Sequence, residues 1–100
     1  MLCALTSRKL KPGAWEDFRR AWEPPGSKFP TGFIRAYHVR ALDDENHVVS
    51  FGLLDGSRED MERVRQEMSD TEDERQRAMA EFVESTQIDG VFEVVEEVTP

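Results

Sequence analysis

Cysteine is nearly absent from this chain of 100 residues: Cys3 stands alone, so no internal disulfide can form and a disulfide-stapled scaffold is excluded. Cys3 is expected as a small buried strand residue, in keeping with a reducing cytoplasm. Long apolar runs are also missing. The longest cover only a few residues, against the roughly 18–20 needed to span a bilayer, and the opening Met1-Leu2-Cys3-Ala4-Leu5 is too short for the apolar core of a signal sequence. The expectation is a cytoplasmic protein with no membrane association. Excess basic charge is lacking: 13 Lys and Arg face 21 Asp and Glu, a net charge of −8, which repels a phosphate backbone and argues against nucleic acid as a partner. Histidine is limited to His38 and His47, and with one cysteine these show no paired-ligand spacing, so no metal site is expected. No repeat, Gly/Ser linker, phosphate loop, G-x-G-x-x-G, nucleophile elbow or kinase signature is present. The length suits one domain over residues 1–100.

What is there is unevenly spread. Residues 1–50 carry a charge of +2 and residues 51–100 carry −10, with acids and arginines interleaved from Arg58 to Glu84. That pattern describes a solvated helix face or, alternatively, an acidic docking surface. Leu2-Cys3-Ala4-Leu5-Thr6 reads as a first strand that stops at Ser7-Arg8-Lys9. Pro12 fits the first turn of a helix whose Ala14, Trp15, Phe18, Ala21 and Trp22 share one face, and Pro24-Pro25 ends it in a loop over Glu23–Ser27. Gly32 to Leu42 and His47 to Leu54 read as strands joined by a turn at Asp43-Asp44-Glu45-Asn46. Ser57 with Asp60 resembles a capping box before a helix lined by Met61, Val64 and Met68. A break is expected near Ser69-Asp70-Thr71, then a second helical piece lined by Ala78, Met79, Phe82 and Val83. Asp89-Gly90 reads as a turn and Val91–Val98 as a final strand.

The order β-α-β-β-α-β is a split βαβ arrangement, with an antiparallel sheet and helices on one face. Phe33, Tyr37, Val39, Val49, Phe51 and Leu53 fall on one set of strand positions, and Ile34, Ala36, Leu42, Val48 and Leu54 on the other. Both faces are therefore apolar. At roughly 1.5–3 kcal/mol for each large buried side chain, leaving one face wet would forfeit much of a small domain's stability, so a homodimer is expected.

The segments Leu10-Lys11-Pro12-Gly13, Gly32, Leu42-Asp43-Asp44-Glu45-Asn46-His47, Asp55-Gly56-Ser57-Arg58-Glu59-Asp60 and Glu93–Pro100 together resemble the dimeric α+β barrel superfamily, and within it the antibiotic biosynthesis monooxygenase domain. The resemblance spans the whole chain. It implies a ferredoxin-like unit paired into a barrel with a small-molecule pocket between sheet and helices. Implied activities are cofactor-independent oxygenation of aromatic polyketides and oxidative haem degradation. Two positions depart from the family: a tryptophan near the end of the third strand, and a charged residue two positions before it, are replaced by Leu54 and Gly52. The haem-degrading members use a helix histidine, whereas His38 and His47 lie in expected strands, so no haem or other cofactor is expected.

A pocket is expected between the first helix and the sheet. Trp15, Phe18 and Trp22 form its wall, unless that aromatic stripe is ordinary core. Strand alternation puts Arg35 and Tyr37 on one face and His38 and Arg40 on the other, so only one pair can face the helices. His38 is the candidate acid or base near neutral pH, with Tyr37 or Arg35 to stabilise an enolate-like oxygen. The alternative is a hydrogen-bonded sheet histidine and an Arg35 paired across the dimer. Ser50 could bond a ligand but has no base near it in sequence. Two functions follow: a cofactor-independent monooxygenase acting on a small aromatic or polyketide-type molecule, or a non-catalytic homodimer that binds a small ligand or a partner.

Overall fold

The computed structural model describes every residue except Pro25 and Ser27, together with the side chain of Asp70. Four strands form one antiparallel sheet in the order β2-β3-β1-β4: β1 (Leu2–Leu10), β2 (Phe33–Ala41), β3 (Asp44–Leu54) and β4 (Val83–Glu93). Helix α1 (Trp15–Trp22) follows β1, and α2 (Met61–Ala80) follows β3 after a 3₁₀ turn at Arg58–Asp60. This is the ferredoxin-like arrangement expected from the sequence. The expected loop at Glu23–Ser27 lies partly outside the described residues.

β1 does not stop at Thr6, because each residue of the polar run finds a place. Ser7 Oγ lies 2.8 Å from His47 Nε2, Arg8 turns inward, and Lys9 pairs with Asp44. Pro12 precedes α1 instead of opening it: Gly13, at φ +73°, turns the chain in a region open to glycine at little cost, and the helix starts at Trp15. Glu16 and Asp17 then lie in its first turn and Arg19 and Arg20 in its last, the polarity a helix dipole favours.

The β2–β3 turn is Leu42–Asp43, shorter than the expected turn over Asp43–Asn46, since Ala41 pairs with Asp44. Leu42 is therefore fully exposed at the tip. An irregularity between Phe33 and Arg35 moves Phe33 to the helix-covered face, where it stacks on Phe29 with ring centroids 4.2 Å apart. Gly32 precedes it at φ +90°, with Asp55 N donating to Gly32 O at 2.7 Å. A Cβ there would sit 2.5 Å from Asp55 O.

α2 runs unbroken through Ser69–Thr71. The Ser69 and Thr71 hydroxyls donate to Gln66 O and Met68 O in the preceding turn, both at 3.2 Å, so they join the helix instead of capping a new one. The helix then ends before Phe82, and β4 starts at Val83, eight residues ahead of the expected strand start at Val91. β4 pairs with β1 from Leu10↔Val83 to Leu2↔Glu93. Asp89-Gly90 consequently lies inside a strand. Val94 N still reaches Met1 O at 2.9 Å, after which β1 offers no further partner and residues 95–100 are irregular.

Leu10, Phe18, Val48 and Met79, one from each of β1, α1, β3 and α2, form the sealed core, so both helices lie on one face of the sheet. The opposite face presents Leu5, Tyr37, Val39, Phe51, Ile88 and Phe92. Tyr37, Val39, Ile88 and Phe92 are each 44–49 % exposed, and the Tyr37 and Phe51 rings lie 5.3 Å apart.

Candidate functional site

Even-numbered residues of β1 and β3 face the helices, and register carries the pattern across the sheet. His38 opposes Ser50, Ser50 opposes Thr6, and Thr6 opposes Asp89. A polar row thus crosses all four strands. On one side of this row lie Leu2, Ala4, Gly52, Leu54 and Val91; on the other lies Arg8. α2 repeats the gradient along its sheet-facing stripe, with Met61, Val64 and Met68 in the first half and Glu72 and Arg75 in the second. Between α2 and the sheet these residues, His38 excepted, line a cleft of about 560 Å³, within the roughly 300–1,000 Å³ usual for small-molecule sites. Phe29, Pro30, Phe33 and Trp22 complete its wall.

The polar end holds two inward arginines with different fates. Arg75, whose side chain is 11 % exposed, pairs with Glu72, donates from Nε to Trp22 O at 2.7 Å and lies 5.4 Å from the Trp22 ring centroid. It ties α2 to the C-terminal end of α1. Arg8 is 4 % exposed; its Nη1 donates to Thr6 Oγ1 at 2.6 Å and its guanidinium lies 5.5 Å from the Phe18 centroid. No carboxylate among the described residues pairs with it. Burial lowers its pKa, with Arg75 acting in the same direction and Asp89 and Glu72 opposing.

His38 stands edge-on to Trp22, Trp15 and Phe18 at centroid distances of 4.5, 5.3 and 6.3 Å. Its Nδ1 lies 2.7 Å from Ser50 Oγ, a hydrogen bond whose direction follows the imidazole tautomer. Burial pushes its pKa below the usual value, helped by Arg19 and Arg8, so the ring is neutral at pH 7. Ser50 is itself buried and lines the cleft.

The anticipated residues are therefore divided. His38 and Arg40 take the helix side. Arg35 and Tyr37 lie on the open face, where Tyr37 cannot reach an oxygen in the cleft. Trp22 and Ser50 line the cleft, whereas Phe18 is fully buried core. Trp15, His38 and Arg40 border a separate hollow of about 100 Å³, with the Arg40 guanidinium 5.5 Å from the Trp15 ring centroid. The main cleft lies against α2, not α1, because the aromatic face of α1 is consumed in packing on Leu10 and Val48 and around His38. Ser50 does have a base beside it, supplied by cross-strand register. Arg8, Thr6, Glu72, Arg75 and Asp89 went unnoticed in the sequence. Among the described residues no cluster of His, Cys, Asp and Glu is suited to a metal ion.

A four-stranded antiparallel sheet with two helices on one face and a graded cleft beneath the longer one defines a ferredoxin-like α+β architecture. The sequence matches no family model and no curated protein, whereas solved structures share its fold. The "Putative antibiotic biosynthesis monooxygenase from Nitrosomonas europaea" aligns over 96 % of this chain and 100 % of its own, with a TM-score of 0.69 and 14 % identity. A Bordetella bronchiseptica protein with the same description aligns over 95 % and 97 %, with a TM-score of 0.67 and 16 % identity. A conserved protein from Methanosarcina mazei aligns over 91 % and 89 %, with a TM-score of 0.68 and 14 % identity. The chain thus resembles the antibiotic biosynthesis monooxygenase proteins in fold.

Proposed function

We propose that this chain acts in the cytoplasm as a homodimeric, cofactor-independent monooxygenase that takes a small aromatic, polyketide-type molecule into the cleft between α2 and the sheet. The observation that carries this reading is Ser50, buried in the cleft wall and held 2.7 Å from the neutral His38. A neutral imidazole can accept a proton, and a hydroxyl between it and the ligand can relay one. An acidic CH₂ flanked by phenolic rings gives its proton to Ser50 Oγ while the Ser50 proton passes to His38 Nδ1. The electron pair left on the ring system reduces O₂, one electron at a time. Recombination forms a C–O bond, the O–O bond breaks, and the second hydrogen leaves with the distal oxygen. The net change converts CH₂ and O₂ into C=O and H₂O, with all electrons supplied by the substrate. The apolar open face supports the dimer, since a second sheet would cover Tyr37, Val39, Phe51, Ile88 and Phe92.

Oxygen uptake with a hydroxyanthrone tests the reading. Turnover should fall at least about tenfold in Ser50→Ala and in His38→Phe, the lower end of what a general base contributes. Gly52 and Leu54, which leave one end of the cleft without a polar group, favour the second reading, a dimer that holds its ligand without turnover. Saturable binding of the hydroxyanthrone without oxygen uptake selects that reading, and absence of binding refutes both.

A further inference from the structure

Arg8 is a buried cation whose compensation inside the protein is incomplete. Removing a guanidinium from water is costly unless an anion and good hydrogen-bond geometry replace the lost hydration. The nearby acids do not do this. Glu72 is consumed, with Oε2 accepting from Arg75 and Oε1 from Gln76 Nε2 at 2.8 Å. Asp89 is solvent-exposed on the edge strand and forms no ion pair with Arg8 among the described residues. Thr6 is the hydrogen-bond partner that Arg8 has. Every sealed side-chain nitrogen and oxygen among the described residues has a partner, so the guanidinium nitrogens of Arg8 that lack one border open space. The cleft is the space that Arg8 lines.

We propose that Arg8 is the anion anchor of the cleft and that the cleft's ligand class is a small amphiphilic acid: a flat apolar body carrying one carboxylate. The proposal rests on the reading of this cleft as the ligand site. The body lies toward Leu54, Val64 and Met68, and the carboxylate meets the guanidinium fork, whose planar geometry suits a two-oxygen acceptor. Arg75 cannot take this role, since its Nε is committed to Trp22 O and its Nη1 to Glu72.

Naphthalene-2-carboxylate and its neutral isostere naphthalene-2-carboxamide are the probes, titrated calorimetrically into the full chain at pH 7.5 without O₂-dependent readout. The carboxylate should bind at least tenfold tighter than the carboxamide. Arg8→Met, which keeps an apolar chain of similar length, should abolish that preference, whereas Arg65→Ala, at a more exposed arginine of the same wall, should leave it intact. Equal binding of the two probes by the wild-type chain overturns the assignment while leaving the cleft reading in place. Binding of neither overturns both. The wild-type comparison decides the matter even if Arg8→Met does not fold, and a preference lost in Arg65→Ala but kept in Arg8→Met also refutes the assignment.

Discussion

The His38–Ser50 hydrogen bond can be weighed by a double-mutant cycle, because the two side chains lie on neighbouring strands and meet at 2.7 Å. Ser50→Ala leaves Nδ1 of a half-buried ring without its partner, which costs about 1–1.5 kcal/mol. His38→Phe keeps a flat ring among Trp15, Trp22 and Phe18 but orphans the Ser50 hydroxyl, for about 1 kcal/mol, moderated because the cleft admits water. Together the changes remove donor and acceptor at once, so the double variant should lose about 1 kcal/mol less than the two single losses combined. For a chain of this size that coupling is worth about 4–8 °C in Tm. Circular dichroism melts of the four proteins at one fixed chain concentration measure it, a precaution that removes any mass-action shift from dimerisation. Additivity within about 0.3 kcal/mol would refute the bond in solution, and the proposed proton relay would fall with it.

Four further outcomes follow from the geometry. His38 has a folded-state pKa below its unfolded value of about 6.5, so the unfolded chain takes up the proton first; stability should fall as pH drops from about 6.5 toward the folded value and show no His38 contribution above about pH 6.5, and His38→Phe should flatten that limb in melts between pH 5 and 8. The carboxylates Asp44, Asp60 and Glu67, whose pKa values are lowered by hydrogen bonds, should contribute a separate loss only below about pH 4.5. Gly32→Ala forces an L side chain into φ +90° with its Cβ 2.5 Å from Asp55 O and should cost about 2 kcal/mol or more in urea unfolding; a loss under about 0.5 kcal/mol would contradict the observed turn. Phe51→Asp on the open face should convert the proposed dimer to a monomer in light scattering, and a wild-type chain that is already monomeric at micromolar concentration refutes the dimer.

Some of what the sequence left unseen had a signal in it. Leu2, Ala4, Thr6, Arg8 and Leu10 alternate with a period of two, and the apolar Leu10 two places beyond Arg8 marks Arg8 as inward-facing, although Ser7-Arg8-Lys9 looks like a solvated strand end. Met61, Val64, Met68, Glu72, Arg75 and Met79 follow helical spacing, so Glu72 and Arg75 sit within a buried stripe. A charge inside such a stripe is the mark of a site or of a buried pair, and here Arg75 belongs to the pair and Arg8 remains open. Ser50 and His38 carried no comparable signal. A turn over Asp43–Asn46 would pair His38 with Phe51, one residue out of register, and a slip of one sends a strand's side chains to the other face.

The sequence alone determined the element order, the aromatic stripe of α1 and the parity that separates His38 and Arg40 from Arg35 and Tyr37, because these depend on periods of two and 3.6 residues within single segments. Only the tertiary structure decided which face the helices cover, where β4 begins, that α2 passes unbroken through Ser69–Thr71, and that His38, Ser50, Thr6 and Asp89 form one row beside a buried Arg8 without an ion-pair partner among the described residues. Those outcomes depend on register between distant strands and on competition among helices for the same sheet surface. Neither is written in any one stretch of the chain.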